Sequence, residues 1–351
     1  MHERRHFCLN LSLGLLATGL TRPAWGAKPV LRVLAWPGYA EPAVVQSFET
    51  EHGCRVELTL IASDEDLWEN LQRHQAQDFD VFAANTAEIQ RYLHANLVRP
   101  IDVKALPHMQ RLLPRFQNLK AIPGLFHKGD LMALPYAYAE MGLIYDGQQL
   151  AQSPTSYAAL WDSRWQGRVL MYDGGTHCFS LAAINLGWPT PFHLTDRQWP
   201  AAVDHLIALR RNAAGFYTQP EESVALFKNR GAVLMFANYG RQQLQLLKAA
   251  GVDAHYVIPK EGALAWLDCW AMTRGARDPA LAQAWINHML GEQAGRALVT
   301  QQGLGSTTTV SPDYSEKDKL IWLEPAESEE RRNRLWNRIV SGDRASKVLA
   351  Q

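Results

Sequence analysis

Residues 259–273, Pro-Lys-Glu-Gly-Ala-Leu-Ala-Trp-Leu-Asp-Cys-Trp-Ala-Met-Thr, constrain the chain more than any other stretch. Read as a strand, they send alternate side chains to opposite faces. One face carries Ala265, Leu267, Cys269 and Ala271, an ordinary core face. The other carries Trp266, Asp268 and Trp270, a carboxylate between two indoles. A buried, unpaired Asp costs several kcal/mol, about the penalty of an uncompensated ion. No Lys or Arg lies between Lys260 and Arg274. A cationic ligand lying against the aromatic faces would supply the missing charge. A structural Asp held by backbone amides, with both indoles in the core, is the alternative, and the pattern leaves both open.

A chain of 351 residues is long enough for two domains, and 47% apolar content is enough to give each a core. The formal charge is balanced at +0, which argues against nucleic acid or an anionic membrane as partner. Residues 1–26 read as a signal peptide. Arg4 and Arg5 form a basic start, Leu11 to Leu20 is an apolar run too short to span a bilayer, and Ala24-Trp25-Gly26 offers a cleavage site before Ala27. Arg4-Arg5-His6-Phe7 also fits a twin-arginine signal, so export is of the Sec or the twin-arginine type. The mature protein is expected in the periplasm. Cleavage removes Cys8 and leaves Cys54, Cys178 and Cys269, spaced like no zinc site and read as small buried residues.

Strands are expected at 31–35, 56–61 and 79–84, alternating with helices at 42–52, 63–75 and 87–93. This alternation is the signature of an α/β fold with mostly parallel sheets. Trp36 and Tyr39 follow the first strand, at the carboxyl end where such sheets place ligands. Asn85 is expected to cap the third helix. Tyr136, Tyr138 and Glu140 alternate along one strand and form a second aromatic and acidic group. A second lobe is expected over 137–263, between two halves of the first at 27–136 and 264–310. A helical tail, 311–351, packs on the lobes, with Arg331, Arg332, Arg334 and Arg338 on solvated faces. Two crossings between lobes make a cleft, the usual seat of a small ligand.

With these motifs in place, the chain resembles the periplasmic spermidine- and putrescine-binding proteins of ABC transporters. The resemblance rests on Trp36-Pro-Gly-Tyr39, Phe79-Asp80-Val81 before Asn85-Thr86, Leu134-Pro135-Tyr136, the segment 258–272 and the tail 331–339. It implies a two-lobed type II binding protein that closes on its ligand and passes it to a membrane permease. It also implies that Trp36 and Tyr39 pack on the ligand's methylene chain, that Trp266 is an aromatic wall and that Asp268 binds an amine. Phe236 stands where the family has tryptophan, and Asn85 where it often has serine. The chain departs from the family at His177 and Gly174, which replace acids, and at Ala87 and Leu304, which replace tyrosines. Glu140 is the expected substitute acid, since two ammonium groups need more than one carboxylate.

The expected function is therefore capture of a polyamine or related amine by a monomer that needs no cofactor, metal or nucleic acid. A zwitterionic or aminophosphonate ligand on the same scaffold is the alternative, held by Asn85, His177, Asn238 and Ser306 to Thr309 near helix N-termini. A non-transport sensor is another. No Gly-x-Ser-x-Gly, His-Glu-x-x-His or Walker loop points to an enzyme.

Overall fold

The structure, a computed structural model, describes residues 28–350; the signal segment 1–26, Cys8 included, lies outside them. Ten strands build two sheets: β1 Val30–Ala35, β2 Arg55–Leu60, β3 Val81–Asn85, β4 Ala133–Met141, β5 Leu143–Asp146, β6 Val169–Tyr172, β7 Ala213–Tyr217, β8 Leu234–Phe236, β9 Ala254–Val257 and β10 Ala263–Thr273. Shorter pieces at 98–99, 305–306 and 320–322 extend the first sheet.

The first sheet runs β4-β10-β3-β1-β2 and the second β7-β6-β8-β5-β9. The β-α-β alternation makes β1, β2 and β3 parallel, and likewise β6, β7 and β8. The crossings add antiparallel strands. β4 leaves the first sheet at the edge where β10 re-enters it, so the two must run in opposite senses. β5 and β9 are related in the same way in the second sheet. The fold is α/β and two-lobed, with mixed rather than mostly parallel sheets.

The sequence reading moves the chain out of the first lobe after Tyr136, whereas the first sheet keeps it through Met141. Gly142 is the joint. A Cβ there would lie 2.5 Å from the Val257 carbonyl oxygen of the returning chain. Its N–H donates to the Tyr256 hydroxyl at 2.8 Å, which in turn donates to the Glu140 carbonyl at 2.7 Å.

Phe79-Asp80-Val81 is a structural motif. Arg32, in the middle of β1, is almost wholly buried and forks onto Asp80 with bonds of 2.6 and 3.0 Å. The backbone N–H groups of Arg32 and Arg277 complete the shell of Asp80 at 2.8 Å each. A buried ion pair survives only with such full satisfaction.

The tail corrects one expectation. Arg332 is fully buried rather than solvated. It binds Glu327 at 2.8 Å, Ser180 at 2.8 Å and the carbonyls of Thr176 and Pro191. Its helix, Glu329–Val340, thereby docks on the start of helix Gly175–Asn185. Cys54, Cys178 and Cys269 are buried and unpaired, as small core residues.

Candidate ligand-binding site

Asp268 lies where β10 faces β3 and is 6% exposed. Its Oδ2 accepts the Tyr39 hydroxyl at 2.6 Å. Tyr39 is delivered by a turn closed by its N–H on the Trp36 carbonyl at 3.2 Å; Gly38 makes the turn with φ 81°, a backbone that suits glycine. Tyr136 braces this arrangement, with its hydroxyl on the Tyr39 carbonyl at 2.7 Å and its ring edge-on to Tyr39. Among the described residues no other group hydrogen-bonds the Asp268 side chain, and no cation pairs with it. Burial pushes its carboxyl up to about 7, with the Tyr39 bond opposing.

Asn85 stands directly opposite Asp268 across the β3–β10 pair. It caps helix Thr86–His94, its Oδ1 accepting from the N–H groups of Ala87 and Glu88 at 3.0 Å each. Its amide nitrogen turns the other way and donates to Asp64 Oδ1 at 3.4 Å. Asp64 is the first residue of helix Asp64–Gln72, capped by Ser63. Its side chain is exposed to solvent, yet protein crowds around its carboxyl. That raises its carboxyl to about 7, and the charges of Asp268 and Glu329 push in the same direction. Arg91 opposes weakly, being stacked on Trp68 at 3.9 Å and shared between Glu65 and Glu88.

Trp36 and Trp266 are half-buried, and Trp266 packs against the cores of both lobes. The Trp36 indole N–H is buried without an acceptor. Trp270 is fully buried against Tyr136 and Trp285, so a single indole of its strand, Trp266, reaches the gap.

The second lobe contributes Tyr172, at the end of β6, together with Tyr239 and His177. The Tyr172 ring meets Tyr239 at 6.1 Å and His177 at 5.3 Å, both edge-on. Burial raises both tyrosine hydroxyls, and the charge of Asp64 adds to the effect at each. Burial, and then Arg332, lower the His177 imidazole to about 4, so it is neutral at pH 7. Its loop is fixed from behind: Asp173 accepts the Trp336 indole N–H at 2.7 Å and Gly175 N–H binds Asn333 at 3.2 Å.

Two expected site residues are placed elsewhere. Glu140 is 1% exposed and paired with Arg241 at 3.3 Å. Arg241 is itself stacked on Tyr256 and Tyr314 at 4.7 and 5.4 Å. A β-bulge explains the displacement. Asp268 faces Ala137 but Cys269 faces Pro135, so Tyr136 is the extra residue. Directly paired residues share a face; beyond the bulge, Tyr138 lies opposite Leu267 and Glu140 opposite Ala265, away from Asp268. Phe236 has no exposed surface and packs in the second lobe's core against Tyr157, rather than forming a wall of the gap. Asn238, two residues on, is buried with its Oδ1 unpartnered; Gly240, not Asn238, caps the next helix. Arg241→Ala is expected to destabilise the protein by about 3–5 kcal/mol by leaving Glu140 uncompensated. Glu140→Gln should leave ligand affinity unchanged. Denaturant melts and calorimetry read the two outcomes.

Asp64, Tyr172 and Tyr239 escaped the sequence reading. The carboxyl-end rule that selected Trp36 and Tyr39 also selects Tyr172 and, a few residues past β2, Asp64. Among the described residues no group of three or more His, Cys, Asp or Glu is placed to hold a metal. No described helix is long and apolar enough to cross a membrane. A surface groove of about 640 Å³ between Glu41–Val44 and helix Glu292–Gln301 shares no residue with the site.

Two sheets joined by two crossings bring aromatic and acidic groups together between two lobes, an arrangement that suits the holding of a small solute. Residues 43–325 match the bacterial extracellular solute-binding protein family, and the chain belongs to it. It is 23% identical over 327 residues to the spermidine/putrescine-binding periplasmic protein of Escherichia coli, covering 89% of this chain and 88% of that one. It is 25% identical to a putrescine/agmatine-binding protein of Pseudomonas aeruginosa, over 95% and 98%. The fold matches the crystal structure of a spermidine/putrescine ABC transporter substrate-binding protein from Streptococcus pneumoniae, with TM-score 0.72, 19% identity and coverage of 91% and 99%.

Proposed function

We propose that the protein is the periplasmic receptor of an ABC importer and captures a polyamine or related amine-bearing solute between its lobes for delivery to a membrane permease. The observation that carries this reading is Asp268: buried, oriented by Tyr39 and left without a cation among the described residues. An ammonium or guanidinium group supplies that cation, and the half-buried Trp36 and Trp266 offer aromatic surface. Cation–π contacts add about 0.5–1 kcal/mol each when exposed and about 2 when desolvated. Together with a charge-assisted bond they reach the ~8 kcal/mol of micromolar binding. The polyamine names of the curated relatives support the class.

A ligand whose far end carries an anion is the second reading. His177, third residue of helix Gly175–Asn185, stands at a helix N-terminus, whose N–H groups suit an anion.

The test is a thermal-shift screen of the mature protein against diamines, polyamines, guanidino compounds, amino acids and aminophosphonates. A ligand at 100 times its Kd adds about 2.7 kcal/mol, a rise of several degrees. A rise with amines alone supports the first reading. A rise confined to zwitterions moves the assignment to the second, and a screen without any response contradicts both.

A further inference from the structure

We propose that Asp64 and Asp268 act as one receptor for a single cationic head group, so that the site favours a monocation with an uncharged remainder over a diamine of the same length. The proposal rests on the amine-receptor reading above and specifies how the charge is recognised.

The geometry starts from Asn85. Asp268 lies opposite it across the β3–β10 pair, and Asp64 accepts its amide N–H. Cross-strand neighbours stand about 4.5–5.5 Å apart at Cβ, so both carboxylates flank one side chain of the first lobe. Neither forms an ion pair among the described residues. Arg91, the nearby arginine, is engaged with Trp68, Glu65 and Glu88. Asp268 points to a ligand independently of Asp64: it is 6% exposed, and Tyr39 is its one hydrogen-bond partner among the described residues. The two carboxylates repel each other, and a cation seated between them relieves the repulsion and gives buried Asp268 a counter-ion.

The opposite wall has little to offer a second cation. Asp173 is bound to the Trp336 indole and His177 is neutral, while Glu140, on the first sheet, is held by Arg241. Tyr172, Tyr239 and the Asn238 amide are uncharged, and the Asn238 oxygen is buried without a donor. An ammonium group placed there would lose its water without gaining a counter-ion, at a cost of several kcal/mol. A hydroxyl or amide would be matched. Glu329, in the first turn of the tail helix, and Glu65 also lie within electrostatic reach of Asp64; both are exposed, and Glu65 is engaged with Arg91.

The test compares 4-amino-1-butanol with putrescine, which differ by one terminal ammonium, by calorimetry on the full mature chain at pH 8. The expected result is equal or tighter binding of the aminoalcohol. Asp64→Asn should weaken it at least tenfold, and Asp64→Glu should restore part of the loss. Glu329→Gln should leave the affinity unchanged. Unaltered melting of unliganded Asp64→Asn shows that the loss is not misfolding; should that variant unfold, the ligand comparison on the native chain and Glu329→Gln decide. Putrescine binding tenfold tighter than the aminoalcohol, or a loss on Glu329→Gln, overturns the proposal. If Asp268→Asn weakens binding while Asp64→Asn does not, the shared receptor fails and the amine-receptor reading stands. If no amine binds, both fail.

Discussion

Asp268→Asn weakens amine binding by at least ~30-fold and leaves the protein folded. Truncating the charge of a buried, hydrogen-bonded ion pair costs about 2–5 kcal/mol, and each 1.4 kcal/mol is tenfold. The substitution keeps shape and keeps an oxygen to accept the Tyr39 hydroxyl, now 2.6 Å from Oδ2. The unliganded variant should melt no lower than the parent at neutral pH, because a buried carboxylate without a cation is itself a destabilising element. Calorimetric titration and thermal melts read the two halves separately. Retained affinity would place the cation elsewhere in the protein.

The same carboxyl makes stability fall as pH rises. Burial holds Asp268 at about 7 in the folded protein, against roughly 3.9 in an unfolded chain. Between these values the folded state keeps a proton that the unfolded state has released. This contribution is therefore largest below about pH 4, declines as pH climbs to about 7, and is constant above. The decline is on the order of 4 kcal/mol. Denaturant titrations at pH 5 and pH 8 should show a decline that is smaller in Asp268→Asn, because Asp64, Glu88 and Glu140, also raised to about 7, still contribute theirs. Binding follows the opposite slope: the cation needs the ionised form, so affinity should rise through the same range and level off near pH 8. At pH 5.5 it should be about 30-fold weaker, 1.5 pH units below the folded value. A flat affinity between pH 5.5 and 8 would mean that Asp268 is ionised throughout.

Much of this arrangement was legible in the sequence, because alternation and capping are local. The Ser63 and Asn85 caps, helix Pro42–His52 and the strand character of residues 263–273 follow from short-range pattern. The strand Ala213–Tyr217 did not stand out, since Ala-Ala-Gly-Phe-Tyr lacks the β-branched residues and alternation that mark a strand. Nonlocal partners were the harder part. Glu140 looked like a free acid because Arg241, its cation, lies on a different lobe, and the bulge at Tyr136 turned it off the Asp268 face. Arg332 looked solvated because Glu327 and the carbonyls that bury it come together only once the tail docks. Asp64 looked like an ordinary first-turn acid of a helix until the β3–β10 register brought Asn85 and Asp268 beside it.

The central claim is that Asp268, a carboxyl without a cation among the described residues, is neutralised by an amine. Carbon-13 NMR of the side-chain carboxyl, assigned by loss of its signal in Asp268→Asn, measures this directly. Free protein should give a midpoint near 7, and saturating amine should drive it below about 5, each unit being about 1.4 kcal/mol of interaction with the ionised form. A midpoint near 4 in the free protein, or one that bound amine leaves in place, would contradict the account.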